Sequence, residues 1–214
     1  MKNTATKLAN YLLEIGAVKL SPADPFTWAS GIKSPIYCDN RKTLSYPEVR
    51  DFLKVAFAEA IEANYPDAEY IAGVATGAIA MGALVADYRQ LPFVYVRPKA
   101  KDHGLKNRIE GYLPEGKKVV VIEDLVSTGM SSLAAVAALR EHGSKVLGML
   151  SIFSYSLSVA RKNFEEAGCA LLPLSEYDTL LREALRTGYI DAKELEILEA
   201  WRKDPENWYE KIKK

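Results

Sequence analysis

The chain is poor in the residues that build metal centres and covalent cross-links. It has two cysteines and two histidines among 214 residues. Cys38 and Cys169 are far apart in the sequence and have no metal-ligand spacing, so we expect two free thiols in a reducing compartment. Since only His103 and His142 could join them, a structural zinc site is not expected.

The chain also lacks an excess of either charge and any long apolar run. Lysine and arginine together number 28, as do aspartate and glutamate, which gives a formal net charge of zero. Such a chain has no global basic field to hold nucleic acid or an anionic membrane. No apolar run approaches bilayer-spanning length, and the first residues follow an amphipathic helical pattern rather than that of a signal peptide. We therefore expect a cytoplasmic protein that binds neither nucleic acid nor membrane.

What the chain does contain is a regular alternation of apolar strand segments and helical segments in its middle. The predicted strands there are 69–74, 92–97, 118–123, 145–152 and 169–172. The predicted helices between them are 78–89, 131–142 and 157–167. This alternation is typical of a parallel sheet with helices on both faces. The sequence therefore predicts an α/β core over residues 69–172.

Additions are predicted on both sides of this core. Before it we predict helices at 4–15 and 47–64 and short strands at 18–20 and 35–38. After it we predict no convincing strand from Ser175 onward, only helices at 176–187, 192–202 and 205–213. We expect a single domain over residues 1–214, with an N-terminal region over 1–45 and a helical C-terminal extension over 175–214.

The most informative segment is residues 119–132, which have the sequence VVVIEDLVSTGMSS. The β-branched run predicts a buried parallel strand, and a helix is predicted from Ser131. Glu123 and Asp124 fall at the end of this strand, where open α/β sheets bind ligands. The small residues that follow would offer free backbone N–H groups at a helix N-terminus, which suits a phosphate. Carboxylates beside a phosphate site suit a sugar phosphate, because they accept hydrogen bonds from its hydroxyls.

A second unusual segment, residues 98–111, is long, polar and basic, and it connects two predicted strands. A long connection without apolar periodicity inside a compact domain is usually functional or disordered. Taken alone, a solvated charged loop is the simpler interpretation. Beside a predicted polyphosphate site, its lysines and arginine could instead form a mobile flap that closes over pyrophosphate and excludes water.

Residues 119–132 resemble the phosphoribosyl pyrophosphate (PRPP) binding motif of type I phosphoribosyltransferases: an apolar run, two acids, two variable residues, Thr-Gly, one variable residue and Ser. Three further segments resemble the orotate phosphoribosyltransferase family. Residues 97–104 (RPKAKDHG) are similar to its catalytic loop, and residues 71–82 (IAGVATGAIAMG) to its pyrophosphate loop. Residues 26–41 (FTWASGIKSPIYCDNR) are similar to the hood that covers the base. The resemblance implies the type I phosphoribosyltransferase fold, a mostly parallel sheet flanked by helices with an N-terminal hood.

The resemblance also implies a reaction and a set of residues. The phosphoribosyl group of PRPP would pass to orotate, giving orotidine 5′-monophosphate and pyrophosphate in pyrimidine biosynthesis. Lys101 and Asp124 would be catalytic, and Mg²⁺ would be the cofactor, with most of its ligands from substrate and water. The residues implied for PRPP and pyrophosphate are Arg97, Lys99, Lys101, His103, Thr76, Gly77, Glu123, Asp124, Leu125, Val126, Ser127, Thr128, Gly129, Met130 and Ser131. A symmetric homodimer is implied, in which the flap of one subunit covers the site of its neighbour.

The chain departs from the best-known form of this family where other members could bind the carboxylate of orotate. Ala29 stands where a hood lysine is expected, and residues 151–156 hold no arginine. We expect Arg41 to bind this carboxylate, with Lys33 as the second candidate, because both lie on the hood. We expect Tyr37 to stack on the pyrimidine ring and Ser127 to contact the base. The alternative for Arg41 is an ordinary surface guanidinium at a strand end.

Two other functions stay open from the sequence. A type I transferase that uses a purine or another base is the nearest alternative. A regulator that senses PRPP and binds nucleotide and RNA is the second, although it would need a basic face that zero net charge does not favour. A P-loop nucleotidase is excluded, because no Gly-x-x-x-x-Gly-Lys-Ser/Thr occurs.

Overall fold

A six-stranded sheet lies at the centre of the structure, a computed structural model that describes residues 2–28, 31–99 and 108–212. The strands are β1 Val18–Leu20, β2 Phe26–Thr27, β3 Lys33–Ser34, β4 Ile36–Cys38, β5 Tyr70–Val74, β6 Phe93–Val96, β7 Ile109–Glu110, β8 Lys118–Val126, β9 Lys145–Ser154 and β10 Leu171–Glu176. The helices are α1 Lys2–Glu14, α2 Pro47–Asn64, α3 Ile79–Arg89, α4 Met130–Glu141, α5 Ser158–Glu166, α6 Tyr177–Arg186, α7 Ala192–Lys203 and α8 Trp208–Ile212. A 3₁₀ helix covers Asn40–Ser45.

The order of the central strands creates a cleft at one edge of the sheet. The spatial order is β10-β9-β8-β5-β6-β7, and all neighbours pair in parallel except β6 and β7. From β5 the chain moves to β6 on one side, and it later returns to β8 on the other side. The connections therefore diverge between β5 and β8, and open α/β sheets bind ligands outside the carboxyl ends of strands at such a point.

The predicted fold class is confirmed, since a mostly parallel sheet is flanked by helices. The strand predicted over 118–123 continues to Val126, and the one predicted over 169–172 ends at Glu176. The prediction of no strand from Ser175 onward was therefore wrong by two residues. Pro173 lies within β10, which tolerates it because β10 is an edge strand, where a missing N–H need not cost a ladder bond.

The short elements of the N-terminal region were only partly predicted. β1 pairs antiparallel with β4, as the two predicted strand segments allow. The hairpin of β2 and β3 and the 3₁₀ helix were not predicted. Strands of two residues carry too little periodicity to be recognised in a sequence.

Both chain ends pack on the central sheet. Buried apolar side chains from α1, from β8 and from α7, including Leu8, Val121 and Trp201, belong to one cluster. Asp191 and Glu194 form a reciprocal capping box that fixes the start of α7. None of the helices in the described ranges is both long and apolar enough to cross a membrane. The division into hood, core and extension stays a prediction.

Candidate active site

Three loops that follow neighbouring strands meet at the cleft. The first follows β5 and contains Thr76 and Gly77, and the peptide bond between Ala75 and Thr76 is cis. The second follows β6 and begins at Arg97, and the third follows β8 and contains Ser127. Parallel pairing of these strands places the three loops at the same edge of the sheet.

Asp124 lies on the side of β8 that faces the loop after β5. A Cβ added to Gly77 would overlap the carboxylate of Asp124. The backbone of the loop therefore approaches this carboxylate so closely that only glycine fits at position 77. The structure thus brings together Asp124 and Gly77, which the sequence assigned to ribose and pyrophosphate.

Glu123 lies in a different environment from its neighbour. Its side chain is buried, with 4% of the residue exposed. One carboxylate oxygen accepts a hydrogen bond from the Ser132 hydroxyl at 2.8 Å, and the other accepts one from the Asp124 N–H at 3.0 Å. Burial raises the pKa of Glu123 well above its usual range, and the charge of Asp124 adds to the effect. The predicted contact of Glu123 with ribose stays a prediction.

The loop between β8 and α4 has the geometry expected of an anion site. Gly129 adopts a positive φ of 80° before the helix begins at Met130, and no side chain caps this helix. The first backbone N–H groups of a helix have no intrahelical partners, so they are available to a phosphate. Two residues of α5 hold the loop: the Asn163 amide donates to the Thr128 carbonyl at 2.9 Å, and Phe164 packs on Gly129. Ser127 is half-buried, and Thr128 and Ser131 are exposed.

Arg97 lies at the base of the predicted flap. Its backbone N–H donates to the carbonyl of Arg108 at 2.8 Å, and the Arg108 Nε donates back to the carbonyl of Arg97 at 3.0 Å. Arg97 lines a cavity of about 620 Å³ together with Thr76 and Lys99. Its guanidinium lies 3.4 Å from the carboxylate of Glu110. Three residues assigned to pyrophosphate from the sequence therefore share one cavity.

A second cavity, of about 270 Å³, lies between the hood and the end of β8. We call it the base cavity. It is lined by Thr27, Trp28, Tyr37, Cys38, Leu125, Ser127 and Tyr155. The Tyr37 ring is 40% exposed, and its centroid lies 5.7 Å from that of Phe26. Leu125 and Ser127 belong to the PRPP motif, so this cavity adjoins the loop between β8 and α4, which we call the phosphate loop.

The aromatic wall of the base cavity is supported by the C-terminal helices. The rings of Trp28 and Tyr155 stack with centroids 5.4 Å apart. Trp201 of α7 is fully buried and packs edge-on against both rings, at 5.7 and 5.8 Å. Offset and edge-to-face contacts are the favoured geometries of aromatic pairs, so the wall is held in one arrangement.

The two cations predicted for the orotate carboxylate both have partners on the hood. Arg41 donates from Nε to the Asp39 carboxylate at 2.7 Å, and its side chain is 61% exposed. The Asp39 carboxylate raises the pKa of Arg41, and Asp124 and Tyr37 act in the same direction at longer range. Lys33 donates to the hydroxyl of Thr27 at 2.7 Å, and Thr27 lines the base cavity.

Lys101 and His103 lie outside the described residues, as does Ala29. Their predicted roles stay predictions. Among the residues that the structure describes, no group of three or more His, Cys, Asp and Glu side chains could hold a metal ion.

Comparison with known proteins agrees with this geometry. The family described as "Phosphoribosyl transferase domain" matches residues 45–168. An orotate phosphoribosyltransferase of Porphyromonas gingivalis is 56% identical over 97% of this chain and 99% of its own. The chain belongs to the orotate phosphoribosyltransferase family. A second member, from Lactococcus lactis, is 53% identical over 94% of this chain and 96% of its own.

A solved structure of the family shows the same fold. The crystal structure of orotate phosphoribosyltransferase from Aeropyrum pernix superposes with a TM-score of 0.75 at 28% identity, covering 86% of this chain and 99% of that chain. The resemblance stated from the four sequence segments is thereby confirmed.

The sequence analysis did not identify several residues of the site in this orotate phosphoribosyltransferase family member. Two of them could have been identified from their type and place. Trp28 is an aromatic residue in the hood, and Tyr155 is an aromatic residue directly after β9. Asn163 and Phe164 of α5 had no such signal, because they contact the phosphate loop only after the helix packs on it. Asn40 likewise bonds β8 across 84 positions of sequence.

Proposed function

We propose that the cleft between β5 and β8 is where this member of the family, a pentosyltransferase, moves the phosphoribosyl group of PRPP to orotate. The observation that supports this site best is the sharing of Leu125 and Ser127 between the PRPP motif and the base cavity. A transfer between C1 of the ribose and N1 of a base needs these two sites to adjoin, because reacting atoms must lie roughly 3–3.5 Å apart.

In this proposal the ribose phosphate binds between Asp124 and the N-terminus of α4. The 5′-phosphate accepts hydrogen bonds from backbone N–H groups of the loop from Ser127 to Ser131, through Thr128, Gly129 and Met130. The carboxylate of Asp124 accepts hydrogen bonds from ribose hydroxyls and faces the positive charge that develops on the ring as pyrophosphate leaves. Electrostatic stabilisation of that kind is strongest when the groups are fixed in advance.

Pyrophosphate leaves toward the cavity that contains Thr76, Arg97 and Lys99. Cations there neutralise the leaving group, and the flap residues Lys101 and His103 add to them when the flap closes. We assign Lys101 as the catalytic cation on the resemblance of residues 97–104 to the family's loop. Because the reaction needs no enzyme nucleophile, the protein's work is positioning, charge stabilisation and exclusion of water.

Mg²⁺ fits the donor chemistry of this cleft. Asp124, the carboxylate that lies against the pyrophosphate loop, would face the ion, with the remaining ligands from PRPP and water. When bound, Mg²⁺ neutralises charge on the pyrophosphate.

Orotate binds in the base cavity, stacked on Tyr37 with Trp28 and Tyr155 behind it. A carboxylate that loses water needs a charged or hydrogen-bonding partner. Arg41 is our first candidate and Lys33 the second. To bind the carboxylate of orotate, Arg41 would give up its hydrogen bond to Asp39, or Lys33 would give up its hydrogen bond to Thr27.

We further propose a symmetric homodimer in which the flap acts on the neighbouring subunit's site, and a cytoplasmic location for the enzyme. The homodimer rests on the family resemblance, and the location rests on the reducing compartment expected for two free thiols.

A panel of free bases tests the function. The protein is incubated with PRPP and Mg²⁺ and with orotate, uracil, adenine or hypoxanthine, and the loss of each base and the release of pyrophosphate are followed. We expect orotate alone to be consumed, with one pyrophosphate released per orotate. An Asp124→Asn protein is the control for a contaminating activity. Consumption of a purine instead of orotate would establish the alternative transferase, and PRPP binding without turnover would favour a regulator.

A further inference from the structure

The side chain of Asn40 connects the hood to the strand that carries Asp124. Asn40 is the first residue of the 3₁₀ helix, and 1% of it is exposed. Its Nδ2 donates a hydrogen bond to the backbone carbonyl of Asp124 at 2.6 Å. Its Oδ1 accepts one from the Cys38 thiol at 3.2 Å, so both ends of the buried amide are satisfied.

The backbone of β8 needs such a partner at this position. The pairing of β8 with β5 ends with Ile122 opposite Gly73, after which β5 turns into the pyrophosphate loop. Asp124 lies two residues beyond that point, on the edge of the cleft. Its carbonyl is bonded by Asn40 and its N–H by the carboxylate of Glu123 at 3.0 Å. Two side chains therefore hold both backbone polar groups of Asp124.

Asn40 also lies next to the base cavity. Tyr37 and Cys38, which precede it by three and two residues, line that cavity. Burial raises the pKa of the Cys38 thiol well above its usual range, so the thiol stays protonated and can donate to Asn40. One amide thus joins the wall of the base cavity to the residue that faces the ribose.

We propose that Asn40 is a positioning residue for PRPP, whose amide fixes the backbone of Asp124 and thereby aims its carboxylate at the ribose. The inference rests on the proposed function, and it assigns to Asn40 an effect that passes through Asp124. A hydrogen-bonded side chain that only stabilised the hood would act independently of the carboxylate at position 124.

Asn40→Asp is the sharpest test, because it keeps the shape of the side chain and replaces the donor with an acceptor that repels the Asp124 carbonyl. The dissociation constant of PRPP with Mg²⁺ is measured by titration calorimetry for the wild type, Asn40→Asp, Asp124→Asn and the double variant. Thr43→Val is the matched control, since the buried Thr43 hydroxyl bonds the Asn40 carbonyl at 2.6 Å within the same 3₁₀ helix. If Asn40→Asp does not fold, Asn40→Ser takes its place in the same cycle.

We expect Asn40→Asp to weaken PRPP binding about tenfold, the usual consequence of losing a buried hydrogen bond. In the Asp124→Asn background the same change should weaken binding by less than about twofold, because residues that act through one another are not additive. Thr43→Val should lower the unfolding temperature and leave PRPP affinity unchanged.

Three results would overturn the inference. They are an unchanged affinity in Asn40→Asp, an equal loss in both backgrounds, and an equal loss in Thr43→Val. If Asn40→Asp binds PRPP normally while Asp124→Asn binds it more weakly, the proposed function stands and only the role of Asn40 is refuted. A wild-type protein that does not bind PRPP would remove both.

Discussion

The backbone of Gly77 lies so close to the carboxylate of Asp124 that position 77 has no room for a side chain. Gly77→Ala should therefore displace either the pyrophosphate loop or the carboxylate. Since overpacking typically costs about 1–3 kcal/mol, we expect PRPP affinity to fall by roughly one to two decades. The dissociation constant of PRPP, measured by titration calorimetry in the presence of Mg²⁺, tests this expectation.

Gly148→Ala is the matched control for this substitution. A Cβ at Gly148 would overlap the hydroxyl of Tyr65, on a part of β9 away from the loops of the cleft. It should lower the unfolding temperature and leave PRPP affinity intact. Equal losses of affinity in the two variants would contradict a specific contact between Gly77 and the ribose site.

Asp124→Asn should reduce turnover mainly by weakening the binding of PRPP. Removing a charge-assisted hydrogen bond costs roughly 1.5–3 kcal/mol, or about one to two decades of affinity. Glu123→Gln should have a smaller effect, because the Glu123 carboxylate is buried against Ser132. A folded Asp124→Asn protein with wild-type PRPP affinity would refute the assignment.

Glu123 should make the stability of the protein depend on pH. Its pKa is raised in the folded state by burial and by Asp124, so the folded protein holds the proton more tightly than the unfolded chain. The stability linked to this proton is complete below the ordinary glutamate pKa of about 4.3 and is lost as the pH rises through the raised value. From pH 5 to pH 8, the free energy of unfolding in urea should therefore fall more steeply in the wild type than in Glu123→Gln.

Glu69→Gln is the control for that series. The hydrogen bond from Lys117 lowers the pKa of Glu69, so its stabilising effect is complete above the ordinary glutamate pKa. The difference between wild type and Glu69→Gln should be constant from pH 5 to 8. A constant difference for Glu123→Gln as well would show that Glu123 is already charged in the folded protein at pH 5.

Arg41→Ala should lose discrimination for orotate over uracil. No other arginine lies in the hood segment, residues 26–41, and loss of the partner of a desolvated carboxylate is costly. We expect the KM for orotate to rise by about tenfold or more. Lys33→Ala is the companion variant. If Arg41→Ala binds orotate normally and Lys33→Ala does not, the role belongs to Lys33.

Mixing two inactive proteins tests the action of the flap between subunits. Lys101→Ala and Asp124→Asn homodimers should each be nearly inactive. A hybrid dimer contains one site with both defects and, if the flap acts on its neighbour, one site that is intact. Subunit exchange, followed with differently tagged chains, should then restore part of the activity. Parental activity after demonstrated exchange would mean that Lys101 serves its own subunit.

The strands and the phosphate loop could be predicted because their signals are local. The β-branched run before Glu123 and the small residues after Val126 determine their own conformation, and the structure places a strand, loop and helix there. The sequence predicted that Gly77 and Asp124 belong to one site, but it did not predict that they are in contact. The distance between them depends on the pairing of β5 with β8, which joins residues about fifty positions apart.

The connections made by Asn40 and Trp201 had no local signal. An asparagine after Asp39 is typical of a turn, and only the folded hood brings its amide to the carbonyl of Asp124. Trp201 follows a helical apolar pattern that any packed helix would show. Its position behind Trp28 depends on how the C-terminal helices return across the sheet.

The stacking of Trp28 on Tyr155 gives the protein a built-in optical reporter. The chain has three tryptophans, and Trp28 is in the wall of the base cavity with Trp201 in edge-on contact behind it. A pyrimidine entering the cavity would change the surroundings of the Trp28 indole, so intrinsic emission follows occupancy without a label. Trp208 of α8 is buried and does not line the base cavity, so we expect its emission to change less than that of Trp28. Base binding can therefore be timed separately from PRPP binding in a stopped-flow instrument, and the order in which the two substrates enter becomes directly observable.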